Sequence, residues 1–92
     1  MKILGFDYEL IYTNDSGYIG MCEPAKLQIH IDPYAPLQRK FETIIHEIIE
    51  AINIHTELRL KHRDIVTLAV VLHQVFSEGG VNLKPLLGEL KK

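Results

Sequence analysis

The chain has 92 residues, of which 47% are hydrophobic, and 10 Lys and Arg stand against 12 Asp and Glu. This length supports one modest hydrophobic core, so residues 1–92 are expected to form a single domain. The formal net charge of −2 offers no basic surface for a phosphate backbone, and nucleic acid is therefore excluded as an expected partner.

Alternating apolar residues predict a small β-sheet between about residues 2 and 31. The even positions from Leu4 to Tyr12 are apolar whereas Asp7 and Glu9 fall on odd positions, a period of two that is typical of a half-buried strand. The turn-forming residues of 13–17 then predict a reversal. Two further strands are predicted at 18–22 and 27–31, separated by a turn at 23–26, and together the three strands predict an antiparallel meander.

Helical spacing begins after the prolines at 33 and 36. Apolar residues at helical intervals predict a long helix from 37 to about 56 and a second from about 62 to 77, which ends at Gly79 and Gly80. The tail, 81–92, is expected to hold one short helical turn at 86–90. The predicted fold is α+β, with a small three-stranded antiparallel sheet packed beside a two-helix hairpin.

The only cysteine, Cys22, cannot form an internal disulfide, which favours a reducing compartment. Acidic residues at Asp7 and Glu9 interrupt the N-terminal region before an apolar signal-peptide core is reached. The longest apolar run near the C-terminus, 68–72, is far shorter than the roughly 20 residues of a membrane span. We therefore expect a cytoplasmic protein with no membrane partner.

The first predicted helix contains the sequence His46-Glu47-Ile48-Ile49-Glu50. Because residues four apart on a helix lie on one face about one turn apart, His46 and Glu50 are expected to form a two-ligand metal clamp. Glu47 has the relation to His46 that the general-base glutamate has in H-E-x-x-H. Zinc accepts carboxylate oxygen, and catalytic sites with two histidines and one glutamate form an established class.

A third ligand must come from outside the first helix, and two histidines compete for the role. His62 is the first choice because an extended connection from Leu58 can bring it back toward Glu50. His73 is the rival; it shares a helix face with His62 but lies roughly 16 Å from it, so the two cannot bind one ion. His55 is expected to point away from the metal into solvent, and His30 is expected to be a solvated strand residue.

The stretch from Phe41 to Phe76 resembles a family of small phage- and prophage-encoded zinc-metallopeptidase-like proteins. The resemblance is carried by residues 43–53, 60–62 and 72–76, and only the motif from His46 to Glu50 is specific. It implies a minimal gluzincin-like domain in which a second helix completes the zinc site. Relatives with glutamate at position 50 tend to have histidine at position 62, whereas position 73 is more usually aromatic. The family implies no known substrate.

The expected function is zinc-dependent hydrolysis of a peptide bond, with Glu47 as catalytic base and His46, Glu50 and His62 as ligands of one Zn²⁺ ion. The strand 27–31 is the expected edge for a peptide substrate, and three residues are candidate hydrogen-bond donors to the developing oxyanion: Tyr18, Tyr34 and His62. Whether the protein is catalytic stays open at this point, as does its oligomeric state.

Two alternatives compete with this function. The chain is also consistent with a non-catalytic phage-type module that binds a protein partner while retaining the metallopeptidase fold and the metal. In a third interpretation, Glu47 and Glu50 are a solvated helix face beside an isoleucine core, and the domain is metal-free and structural. Glu47→Gln separates the first two, because it should abolish hydrolysis while preserving metal content and partner binding.

Overall fold

The computed structural model describes residues 1–13, 17 and 19–88, and begins with a short hairpin. β1 (Lys2–Ile3) pairs antiparallel with β2 (Phe6–Asp7). Leu4 and Gly5 form the turn with φ of 52° and 83°, and two consecutive positive φ values suit the twist of a two-residue hairpin. The prediction of one continuous strand over 4–12 is therefore wrong, because the chain reverses at Leu4 and Gly5.

Three further strands form the main sheet: β3 (Glu9–Tyr12), β4 (Gly20–Glu23) and β5 (Gln28–Ile31). Their order is β3-β5-β4, with β5 antiparallel to β4 and parallel to β3. The predicted antiparallel meander is wrong in this respect. Parts of two predictions, the turn at 13–17 and the start of the second strand at Tyr18, lie outside the described residues, as does the tail beyond residue 88.

The central position of β5 follows from its composition. Ile29 and Ile31 are both 0% exposed, and a strand flanked on both sides protects such residues better than an edge strand does. Ile29 lies opposite Leu10 on one neighbour and opposite Cys22 on the other, so the buried face is continuous across the sheet. Side-chain alternation has the same period in parallel and antiparallel pairs, so alternation alone does not distinguish the two arrangements.

The helices match their predicted ranges closely. α1 (Leu37–Thr56) and α2 (His62–Glu78) form a hairpin, and a short α3 (Lys84–Leu87) follows. Glu57, with φ of 55°, ends α1 in the left-handed conformation that commonly terminates helices. α1 packs on α2 and on β4 and β5 of the sheet. The α+β class, with a three-stranded sheet beside a helical hairpin, is confirmed.

One hydrophobic core joins the sheet to the helices. α1 contributes Ile44, Ile45, Ile49 and Ala51, and α2 contributes only Ile65 and Ala69. The remaining core residues come from the strands and the C-terminal segment: Ile3, Tyr8, Leu10, Ile29, Ile31, Leu83 and Leu87. Among residues 1–13, 17 and 19–88, no helix combines the length and apolar character required to cross a lipid bilayer.

Candidate metal centre

Three side chains predicted as metal ligands converge between α1 and α2. His46 and Glu50 lie one turn apart on α1, with His46 Nε2 3.8 Å from Glu50 Oε2. His62 is the first residue of α2, and its ring centroid lies 5.7 Å from that of His46. One ligand atom from each residue lies within 4.8 Å of the other two. The structure therefore brings His46, Glu50 and His62 together.

The position of His62 is set by the connection between the helices. The backbone N–H of Leu60 donates to Asn53 Oδ1 at 2.9 Å, and Asn53 Nδ2 donates to the Leu60 carbonyl at 3.3 Å. The carboxylate of Asp64 accepts from the backbone N–H of Lys61 at 2.9 Å, which caps α2 at its first turn. These contacts hold the backbone on both sides of the residue that contributes the third imidazole.

The donor set suits zinc. Two ligand atoms each about 2.1 Å from a tetrahedral ion lie about 3.4 Å apart, so closing this site around zinc requires side-chain movements of about 1 Å. Burial lowers the pKa of His46 and the Glu50 carboxylate partly offsets this effect, so a neutral imidazole lone pair is favoured there. Two imidazoles and one carboxylate leave a fourth tetrahedral position for a water molecule or a substrate oxygen.

Glu47 is the one buried charged residue in the described part of the chain, with 7% of its surface exposed. Burial, reinforced by the negative charge of Glu50, raises the pKa of the Glu47 carboxyl from 4.5 to about 7. A carboxyl group that titrates near neutral pH accepts and returns protons efficiently. Glu47 thus has the proton affinity that a general base requires.

Glu47 lies at the junction of two open grooves. The metal pocket, about 330 Å³, contains the three candidate ligands; its other lining residues are Gly20, Met21, Cys22, Glu47 and Ile54. The second groove, about 590 Å³, is here called the valine groove; it is lined by Gly17, Ile19, Gly20, Arg39, Glu42, Thr43, His46, Glu47, Val66, Ala69 and Val70. The two grooves share Gly20, His46 and Glu47.

Gly20 allows β4 to pass close to α1 at this junction. A Cβ atom at position 20 would overlap Thr43 Cγ2 and lie 3.2 Å from Glu47 Oε2. Because a glycine has no side chain, the strand backbone approaches the Glu47 carboxylate directly. This contact places an edge strand beside Glu47.

The chain matches no protein-family model, and no curated protein or solved structure matches it. The resemblance to phage-type metallopeptidase-like proteins therefore rests on the motif residues alone.

The other three histidines lie outside the cluster. His73 Nε2 lies 3.0 Å from Gln38 Oε1, so it bridges the two helices. His55 was expected in solvent, but its ring stacks on Phe6 with centroids 4.2 Å apart, and its Nε2 shares a 2.6 Å hydrogen bond with the Tyr8 hydroxyl. It anchors the N-terminal hairpin to the end of α1.

His30 was also expected to be solvated, yet only 14% of its side chain is exposed. Its Nε2 lies 3.2 Å from Gln28 Oε1 and 3.3 Å from Glu23 Oε1, both on the sheet. The sheet register places His30 between Ile11 and Met21, on the face opposite Ile29. One polar neighbour on its own strand and one on β4 therefore cover this histidine.

The expected substrate edge is corrected by the strand order. β5 is central and its backbone is paired on both sides, whereas β4 is an edge strand and borders the metal pocket. Among the candidate oxyanion donors, His62 lines the metal pocket. Tyr34 is 81% exposed and lines neither groove, and Tyr18 lies outside the described residues.

Two residues near the site were not predicted. Asn53 follows the motif on α1 and is half-buried; the signal for its hydrogen-bonding role is a polar residue within an isoleucine-rich stretch. Cys22 lines the metal pocket, and burial together with the charges of Glu47 and Glu50 raises the pKa of its thiol to about 11. Cys22 is consequently a neutral thiol at physiological pH.

Proposed function

We propose that this chain is a zinc-dependent peptide hydrolase in which His46, Glu50 and His62 hold the ion and Glu47 is the general base. The observation that carries the proposal is the convergence of three ligand atoms within 4.8 Å of one another beside a buried carboxyl group. A solvated helix face does not require a third donor from another helix. It also does not account for the burial of Glu47, which lies between His46 and Glu50 in the sequence.

A zinc ion in such a site supplies a Lewis acid that polarises a carbonyl group and lowers the pKa of a water molecule. Glu47 takes the proton of the attacking water, because its carboxyl group with a pKa of about 7 is substantially ionised at neutral pH. The same carboxyl group then returns the proton to the departing amine.

The position of β4 supports a peptide as the substrate. Within residues 1–13, 17 and 19–88, β4 is paired with β5 on one side only, so its other edge has backbone donors and acceptors for an added strand. Gly20 brings this edge to Glu47 without an intervening side chain. A peptide bound along β4 therefore passes beside the general base and the ligand cluster.

The lone Cys22 supports a reducing compartment, and we assign the reaction to the cytoplasm.

Metal content of the untagged protein, measured by plasma mass spectrometry after zinc loading and desalting, tests the site. We expect about one equivalent of zinc in the wild type and loss of most of it in Glu50→Ala and His62→Ala. His73→Ala is the matched control because it removes a histidine of the same helix that lies outside the cluster, and it should retain zinc. Equal zinc content in all four proteins would contradict the assignment of the ligands.

Hydrolysis is tested on zinc-loaded protein with a mixture of unmodified peptides read by mass spectrometry. We expect cleavage by the wild type and a loss of at least about 100-fold in Glu47→Gln at unchanged zinc content. Zinc binding without cleavage of any peptide would reject the hydrolase and favour the non-catalytic binding module. Cleavage that survives in Glu47→Gln would reject the role of Glu47.

A further inference from the structure

The valine groove extends the site away from the three ligands along α2. Val66 and Val70 lie four residues apart, so their side chains project from the same face of that helix. They are 39% and 44% exposed, whereas Ala69 between them is buried. Together with Ile19 from the approach to β4, they form an aliphatic wall that is open to solvent and begins at Glu47.

Two of the four titratable residues that line this groove, Arg39 and Glu42, are paired with each other. Arg39 Nη1 lies 3.3 Å from Glu42 Oε2, on adjacent turns of α1. An acidic group entering the groove would meet the carboxylates of Glu42 and Glu47, and a charged group of either sign would lie against the valines, where desolvation opposes it. A neutral aliphatic group is not repelled by the carboxylates and has no charge to desolvate. Its binding removes apolar surface of the peptide and of the groove from water, which is favourable.

We propose that the valine groove binds an aliphatic side chain adjacent to the scissile bond, so that the substrates are peptides with Leu, Ile or Val at that position. This proposal rests on the proposed function, since it takes the bond to be cleaved as lying beside Glu47. The shared residues Gly20, His46 and Glu47 make the two grooves continuous. A peptide whose carbonyl group faces the ligands therefore has a neighbouring side chain within reach of the groove.

Binding of small hydroxamates tests the proposal without relying on turnover. Hydroxamates chelate zinc, so N-acetylated leucine, glycine and aspartate hydroxamates compare three side chains on one metal-binding group. Isothermal titration of the zinc-loaded protein should show about tenfold tighter binding for leucine than for glycine, because a partly open apolar wall contributes less than a closed pocket. Equal affinities, or tightest binding of aspartate, would overturn the proposal.

Isosteric variants locate the effect on the groove. Val66→Thr combined with Val70→Thr keeps the shape of the wall and makes it polar, and should remove most of the preference for leucine. The matched control combines Val71→Thr with Val75→Thr, which have the same spacing on α2, are 49% and 56% exposed and line neither groove. A control that lost the preference equally would overturn the assignment to this groove.

The two hypotheses fail in different ways. If the protein binds no zinc, the metal site is wrong and the proposed function falls together with this inference. If the zinc-loaded protein binds no hydroxamate, the ion has no open position for a substrate oxygen, and the proposed function and this inference again fall together. If all three hydroxamates bind with similar affinity, the metal site stands and the aliphatic specificity alone is rejected.

Discussion

The side-chain amide of Asn53 pairs with both backbone groups of Leu60, accepting from its N–H at 2.9 Å and donating to its carbonyl at 3.3 Å. Asn53 is one turn beyond the motif on α1, and Leu60 is two residues before His62. The pair spans a connection in which Glu57 and Arg59 both have positive φ, a conformation that few residues other than glycine adopt readily. This amide therefore holds a strained segment in the form that presents His62 to His46.

Replacing Asn53 should weaken zinc binding without removing a ligand. Asn53→Ala leaves the Leu60 N–H and carbonyl unpaired, and we expect a decrease of about 10- to 100-fold in zinc affinity, as for other residues that orient metal ligands. Competition with a fluorescent chelator measures it. Gln38→Ala is the control, since it removes an α1 amide that contacts His73. Similar losses in both variants would indicate general destabilisation of the helical hairpin.

The raised pKa of Glu47 makes the stability of the metal-free protein depend on pH. Because its carboxyl group has a pKa of about 7 when folded and 4.5 when unperturbed, the folded state retains the proton to higher pH than the unfolded state. The contribution of Glu47 to the free energy of unfolding is fully present below about pH 4.5, where its carboxyl group is protonated in both states. This contribution is lost as the pH rises through 7 and the folded protein ionises. Ionised Glu47 then costs the folded protein roughly 3 kcal/mol.

Glu47→Gln isolates this effect because glutamine is similar in size and does not ionise. In urea unfolding with EDTA, the variant should exceed the wild type in stability at pH 8, and the difference should largely vanish at pH 5. Glu78→Gln, at the exposed end of α2, is the control and should show little difference at either pH. A difference between Glu47→Gln and wild type that is the same at both values would refute the buried-carboxyl explanation.

The helices could be predicted from the sequence because the residues that determine them lie within or next to each helix. Helical spacing of isoleucines, the prolines before Leu37 and the glycines after α2 fix the two helices within a residue or so. The pairing of β3 with β5 depends instead on which strand buries most apolar surface after collapse. The alternating pattern carries no information about that choice. The chain reversal at Leu4 and Gly5 could not be predicted from the sequence for a different reason. Leucine rarely adopts positive φ, so Leu4 gives no turn signal.

Part of the candidate site could be predicted from the sequence for the same reasons. His46, Glu47 and Glu50 lie on one helix, so helical geometry alone relates them. His62 depends on the path of the connection, and its choice over His73 came from a resemblance as well as from reach. The roles of Asn53 and Gly20 arise from contacts between elements, with Leu60 and Thr43 respectively, which sequence spacing does not encode.

Adding a methyl group at Gly20 should separate β4 from α1. In Gly20→Ala the new Cβ overlaps Thr43 Cγ2, and the strand or the helix must move. We expect a loss of about 1–3 kcal/mol in the free energy of unfolding, which urea titration measures. Thr43→Ser removes the opposing methyl group, so it should restore part of the stability when combined with Gly20→Ala. Strictly additive effects of the two changes would show that they do not interact.

A final prediction separates a structural histidine from the metal ligands. His55 shares a 2.6 Å hydrogen bond with the Tyr8 hydroxyl, and Tyr8 is only 2% exposed. His55→Leu keeps an apolar contact with Phe6 but deprives the buried hydroxyl of this partner, so we expect a loss of about 1–3 kcal/mol in the free energy of unfolding. Its zinc content should equal that of the wild type.

The comparison with His62→Ala makes this test decisive. His62 is exposed, so His62→Ala should lose zinc while the metal-free protein keeps nearly its full stability. The two histidine variants should therefore show opposite patterns in metal content and in metal-free unfolding. If His55→Leu lost zinc as His62→Ala does, the ligand set would have to include His55 or depend on the hairpin that it anchors.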